Sequence, residues 1–293
     1  MPFADGAFVI DRPDRQTVPT VFASPHSGRH YPADFIAASR LDSTAIRRSE
    51  DAFIDDLFAS VPRHGAPLLS ARFPRAYVDA NRDPFELDPE MFEDSLPDYA
   101  DTSSPRVAAG LGTVARVVAS GSDIYRTKLR VADALERIEI CYKPYHAALA
   151  RLVEETRRKF GVCLLVDCHS MPSVGGPLDR DPGGQRVDMV LGDRHGAACA
   201  AQIVDLAEWT LAGLGYKVLR NAPYAGGFTT RHYGRPSAGI HALQIEINRA
   251  LYMDEARICR STGFSTLADD MAVLVGALTQ AEAWNSSAAR IGA

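Results

Sequence analysis

Two histidines stand where this 293-residue chain could hold a metal ion. His26 follows the apolar run ending in TVFASP, His169 follows LLVDC, and each is followed directly by serine. Ligands in open α/β sheets collect beyond the carboxyl ends of strands. Neutral imidazole is the commonest metal ligand, and catalytic zinc sites often combine two histidines with one carboxylate and a water. One loop histidine is explained as well by a satisfied hydrogen bond; two at equivalent positions point to a site. Three carboxylates could complete it: Glu50 and Asp51 at the start of the SEDAF segment, and Asp55 one turn later. Capping and the helix dipole favour acids there without any metal. Yet Asp51 and Asp55 border the apolar stripe, so one of them could face inward. Asp167 is expected to point to the face opposite His169 and to support the loop.

A base is offered by ALQIEIN (242–248). Leu243, Ile245 and Ile247 alternate onto one face, and Gln244, Glu246 and Asn248 onto the other. A chain with this many helical segments covers both sheet faces, so these polar side chains need partners or a function. A glutamate beside a metal-bound water is what metal-assisted hydrolysis requires: the metal lowers the water's pKa and Glu246 takes its proton. Gln244, on the same face, joins the candidate binding residues. The adjacent Asn81 and Arg82 in YVDANRDP form a candidate clamp for a carboxylate, Arg binding it bidentately. Arg75, Arg126 and Arg130 are lesser candidates for that job. His232 and His241 flank the Gly-rich loop before Glu246, where either could donate to an oxyanion or orient a neighbour. His64, His146 and His195 read as structural or exposed. Cys168 and His169 diverge on a strand and make no thiol dyad.

These residues need a scaffold, and the chain alternates strand-like and helical runs, an α/β pattern. Strands are expected at Val18–Ala23, Pro67–Ser70, Ala76–Val78, 161–168, 187–193 and 242–248. Phe53, Ile54, Leu57, Phe58 and Val61 recur at helical spacing up to Gly65. Two helical stretches are expected in 130–160, parted by Pro144, with further helices at 195–215 and 262–285. Residues 82–105 form an irregular acidic excursion, and 171–186 and 221–239 are Gly/Pro-rich loops. No linker divides the chain, so 1–293 reads as one domain. Its net charge of −5 excludes a general nucleic-acid binder. No apolar run reaches the ~18–20 residues of a membrane span, and the N-terminus lacks a signal-peptide pattern. Five cysteines without a CxxC spacing read as buried free thiols, which places the chain in the cytoplasm.

Together, ASPHSGRHYP, SEDAFIDDLF, AYVDANRDP, LLVDCHSMPS, APYAGGFTTRHYGRP and HALQIEINRALYMDE resemble the N-formylglutamate amidohydrolase family. The resemblance implies a three-layer α/β/α fold with a central mixed sheet, of the zinc carboxypeptidase-like (phosphorylase/hydrolase-like) type. It implies one zinc ion on His26, His169 and Asp51, with Glu246 as base and Asn81–Arg82 on the substrate carboxylate. The His-x-x-Glu spacing of related carboxypeptidases is absent, since Arg29 stands three residues after His26. The implied reaction is hydrolysis of a small N-formyl or N-acyl amino acid, such as N-formylglutamate, to formate and the free amino acid. A carboxypeptidase-like or longer-chain N-acyl amidohydrolase is one alternative. A metal-bearing pocket that only binds carboxylates is another; Glu246 argues against it, since binding alone needs no base.

Overall fold

The computed structural model describes Phe3, residues 6–177, Asp179 and residues 181–280. Seven strands form its sheet: β1 (Phe8–Asp11), β2 (Thr20–Ser24), β3 (Leu68–Ala71), β4 (Cys163–Met171), β5 (Met189–Gly192), β6 (Val218–Arg220) and β7 (Ile240–Asn248). Their spatial order is β1-β3-β2-β4-β7-β5-β6. β3, β2, β4 and β7 run parallel, β1 and β5 join antiparallel to β3 and β7, and β6 runs parallel to β5. A short ribbon pairs β8 (Met253–Asp254) with β9 (Cys259–Arg260). The α-helices are α1 (Ala33–Ala38), α2 (Ile54–Leu57), α3 (Pro105–Ala108), α4 (Val131–Arg137), α5 (Lys143–Phe160), α6 (Ala201–Gly213), α7 (Phe228–Tyr233) and α8 (Phe264–Thr279).

Side chains alternating along the central strands feed two apolar layers. Val21, Ala23 and Leu165 pack on one face with Leu149 and Leu152 of α5. Phe22, Leu164, Val166, Leu243, Ile245 and Ile247 pack on the other with α6 and α8. Both faces are therefore covered, and β2 and β4 are buried at every residue. This is the α/β architecture with a mixed central sheet that the resemblance implied.

Local departures have physical causes. The helical pattern after Asp51 yields only α2 and a 3-10 turn at Val61–His64, with Phe53 left-handed at φ 66° before α2 and Pro62 inside the turn. Its apolar residues are buried all the same, because spacings of three and four suit either helix type. Ala76–Val78 is a turn, not a strand. Pro144 does not divide two helices: a π-helical turn at Ile138–Tyr142 joins α4 to α5 just before Pro144, and its changed hydrogen-bond register admits a residue without an N–H. α6 starts only at Ala201, after Arg194 and His195 take positive φ. The edge strands β1 and β6, half-exposed, were not among the expected strands; β6 is only three residues long, whereas β1 lies in the apolar run 7–10. α7 lies inside the expected loop 221–239. α8 ends at Thr279, and residues 281–285 of the expected helix lie outside the described residues. All five cysteines are free thiols; four are buried and Cys259 is exposed.

Candidate metal centre

Strand geometry puts the reactive side chains together. β4 and β7 pair in parallel register, with His169 opposite Glu246 and Asp167 opposite Gln244. A period of two keeps Asp167 and His169 on one face. That corrects the expectation for Asp167, which lies two residues from His169 and points the same way. Its Oδ2 is 3.0 Å from His169 Nε2. β2 ends two residues before His26, and the His26 carbonyl accepts the Asp51 N–H at 3.0 Å, which draws the next segment onto it.

Of the three candidate carboxylates, only Asp51 reaches the histidines. Its Oδ2 lies 3.3 Å from His26 Nδ1 and 2.9 Å from His169 Nδ1. These three donor atoms all sit within 4.8 Å of one another, and all three residues are buried. Glu50 instead accepts from Arg47 through both oxygens, and Asp55 accepts from Arg29 at 2.6 Å near the surface. The other oxygen of Asp51 is held by Arg249 Nη2 at 3.1 Å and Ser170 Oγ at 3.3 Å. The far nitrogen of each imidazole also meets a carboxylate: His26 Nε2 donates to Asp79 at 2.6 Å, and His169 Nε2 lies beside Asp167. Nδ1 of both rings faces Asp51, and that of His169 hydrogen-bonds it. His26 Nδ1 is buried and has no hydrogen-bond partner among the described residues. Two ring nitrogens and a carboxylate can converge in a buried space only when a cation or ring protons lie among them.

The charges follow from this packing. Burial opposes ionisation of Asp51, but His169, His26 and Arg75 outweigh it and hold the carboxyl well below its ordinary range. Asp79 is held down likewise, by Arg75, Arg82 and His26 against its burial. Glu246 goes the other way: burial pushes it up to about 7, with His169 offsetting only part. Gln244 Nε2 donates to Glu246 at 2.8 Å, and Gln244 Oε1 accepts from Gly227 N at 2.7 Å. Position 227 must be glycine, since a Cβ there would lie 2.5 Å from the Asn81 side chain.

Asn81 accepts from Thr229 N at 2.8 Å and presents Nδ2 to His169 and Asp167 at 3.1 and 3.4 Å. Arg82 donates from Nε to the Leu111 carbonyl and from Nη1 to the Asn81 carbonyl, and its Nη2 lies 3.6 Å from Asp79. Burial pulls its guanidinium down to about 10, only partly offset by Asp79. Two groups on the helices behind hold this segment: Tyr142 Oη donates to the Arg82 carbonyl and His146 Nε2 to that of Ala80, both at 2.8 Å. His146 is therefore structural, as its sequence context suggested. Arg75 joins the cluster, 2.8 Å from Asp79 and 3.9 Å from Asp51. His232 is exposed on α7, stacked on Phe228. His241 Nδ1 accepts from Ala200 N. Asp79 and Arg249 were not singled out from the sequence, and Ser170 was noted only as the serine that follows His169. The only available signal was Asp79, two residues before Asn81 in YVDANRDP.

Residues 18–253 match the family model described as N-formylglutamate amidohydrolase. An N-formylglutamate deformylase of Pseudomonas aeruginosa is 30% identical over 247 residues, covering 82% of this chain and 84% of that protein. One from Pseudomonas putida is 27% identical over 241 residues, covering 81% and 83%. The crystal structure of N-formylglutamate amidohydrolase from Ralstonia eutropha JMP134 superposes with a TM-score of 0.86 at 37% identity, covering 94% of this chain and 98% of that one.

Proposed function

The chain belongs to the N-formylglutamate amidohydrolase family of hydrolases, and we propose that it cleaves an N-formyl amino acid, such as N-formylglutamate, with a zinc ion on His26, Asp51 and His169. The observation that carries the metal is the buried convergence of two imidazole nitrogens and one carboxylate oxygen, with His26 Nδ1 lacking a hydrogen-bond partner among the described residues. Two histidines and a carboxylate suit zinc, and carboxylates on the far ring nitrogens orient such ligands. Bound there, the ion would polarise the formyl carbonyl and acidify a water.

The chain's own groups do the rest. Glu246 takes the proton of the attacking water and returns it to the leaving amine, for which a buried carboxyl pushed toward neutrality is suited. Gln244 holds the Glu246 carboxylate, and Asn81 steadies His169 and Asp167; both amides spend their hydrogen bonds inside the protein. Arg82 keeps N–H groups free beyond its bonds to the Leu111 and Asn81 carbonyls and its pairing with Asp79, so it binds the substrate's carboxylate. Arg75, already against Asp79 and Asp51, is placed to meet charge developing on the carbonyl oxygen. Five free thiols suit a reducing cytoplasm, and no helix among the described residues is long and apolar enough to cross a membrane.

The test is metal analysis of the purified protein with formate release from a panel of N-formyl and longer N-acyl amino acids. Protein without metal, insensitive to chelation, or inert toward every N-formyl amino acid would overturn the reading. Asp79→Asn is expected to weaken metal binding by roughly 10- to 100-fold, since it removes the carboxylate that orients His26; chelator competition measures this. Arg82→Ala is expected to raise KM by roughly 10- to 100-fold, through the loss of one charged hydrogen-bonded contact. A fall in kcat with unchanged KM would instead place Arg82 away from the bound carboxylate.

A further inference from the structure

Three polar side chains alternate along β7 on the face that carries the base: Gln244, Glu246 and Asn248. The outer two hold loops. Gln244 Oε1 accepts from Gly227 N at 2.7 Å, which fastens the 221–239 loop. Asn248 Nδ2 donates to the Arg186 and Val187 carbonyls, both at 3.1 Å, which fastens the end of the 171–186 loop. Glu246 therefore stands between two Gly/Pro-rich loops, each tied to a strand neighbour of the base.

One side chain joins these loops to each other. Arg186 Nη1 donates to Tyr224 Oη at 2.6 Å, and the guanidinium carbon lies 5.0 Å from the centre of the Tyr224 ring. Arg186 Nη2 donates to Asp179 at 2.6 Å and to Asp181 at 2.9 Å, and Nε reaches the other Asp181 oxygen at 3.2 Å. The Arg186 side chain is 1% exposed, so this is a buried cation held by charged hydrogen bonds and not a solvated surface pair. Within its own loop, Arg186 N donates to the Ser173 carbonyl and Gly175 N to that of Gly184. Across from it, the backbone at Ala225–Gly226 passes so close to β5 that a Cβ on Gly192 would lie 2.8 Å from Gly226 N. Gly192 is the register partner of Gln244. Tyr224 thus lies near the base, and burial and then the Glu246 charge push its phenol up. None of these bonds involves His26, Asp51, His169 or Arg82.

Resting on the reading of the site as an N-formyl amino acid hydrolase, we infer that Arg186 is a positioning residue for the reaction: its guanidinium locks the 171–186 loop to Tyr224 and closes a ring of contacts around Glu246. The ring runs from Gln244 through Gly227 and Tyr224 to Arg186, and returns to β7 through Asn248. It fixes the walls beside the base, so that the attacking water meets Glu246 in one geometry. Arg186 touches no reacting atom and acts through the loops.

The experiment has two readouts, in Arg186→Met and in Tyr224→Phe. The second variant leaves Arg186 with both its acids, so the link is tested even where Arg186→Met does not fold. Hydrogen exchange of residues 171–186 and 221–228 reads the fastening without turnover, and should rise in both segments. Formate release from N-formylglutamate reads the consequence. Each variant should lower kcat by roughly 10- to 100-fold, the scale of an ångström-sized misplacement, with KM little changed because Arg82 lies outside the ring. In a Glu246→Gln background the same substitutions should lower kcat no further, since the group they position is no longer a base. Unchanged exchange in both segments, wild-type kcat in both variants, or an equal fall in kcat with and without Glu246 overturns the inference and leaves the hydrolase reading standing. A wild type that releases no formate overturns the hydrolase reading and the positioning role with it, while the exchange still shows whether Arg186 joins the loops.

Discussion

Glu246→Gln should lower kcat by roughly 10²- to 10⁴-fold while the metal stays bound, the range associated with loss of a positioned general base. Glutamine keeps the shape of the side chain and an oxygen to accept from Gln244 Nε2, so the local geometry has no reason to move. It cannot take a proton from water. The side chain is buried on a covered sheet face, opposite His169 in the β4–β7 register. Burial is what lifts its carboxyl to about 7 in the metal-free protein; a bound dication would pull it back down. The acid limb of the kcat/KM profile should therefore fall below pH 7. Single-turnover formate release with parallel metal analysis decides the matter. Full activity in the variant would remove Glu246 from the chemistry, and loss of metal together with activity would assign it to the metal instead.

Asp51→Ala should abolish measurable metal binding and cost about 3–5 kcal/mol of stability, the range for breaking a buried ion pair. Asp51 is fully buried and is where His26, His169, Ser170 and Arg249 meet. Its removal leaves the Arg249 guanidinium without its acid. Chelator titration and denaturant unfolding read the two effects separately, and wild-type metal affinity in Asp51→Ala would refute the assigned ligand set. Metal removal from the wild type carries a pH signature. In the metal-free protein burial lowers the His169 pKa, but Asp167 and Asp51 outweigh it and hold the ring well above its ordinary value. Stability from that protonated ring is present below the ordinary imidazole pKa and is lost as pH rises through the folded value. Glu246, also raised, acts in the same direction up to about 7. The metal-free protein should thus lose stability as pH rises. Metal binding, which displaces these protons, should tighten, and the gap in Tm between the two forms should widen.

His26, His169 and Glu246 were legible in the sequence because each is marked by a local feature. Two end or follow strand-like runs, and the third sits on the polar face of an alternating one, a pattern with a period of two that needs no partner to be seen. The same period places Asp167 beside His169; the sequence held that information, and the expectation that it faced away misapplied it. The segment after Asp51 showed a helical rhythm, but Phe53 and Pro62 leave only short turns there. What lay beyond the sequence was the choice of partners. Glu50, Asp51 and Asp55 are alike as local signals, and only the folded chain turns Asp51 onto His169, 118 residues away, while giving Glu50 to Arg47 and Asp55 to Arg29. Arg249 carries no local signature at all, and Asp79 only its place two residues before Asn81. Their roles come from the side-by-side order of β2, β4 and β7, which sets remote segments against one strand-end cluster. Alternation says which way a side chain points, and sheet order decides what it meets there.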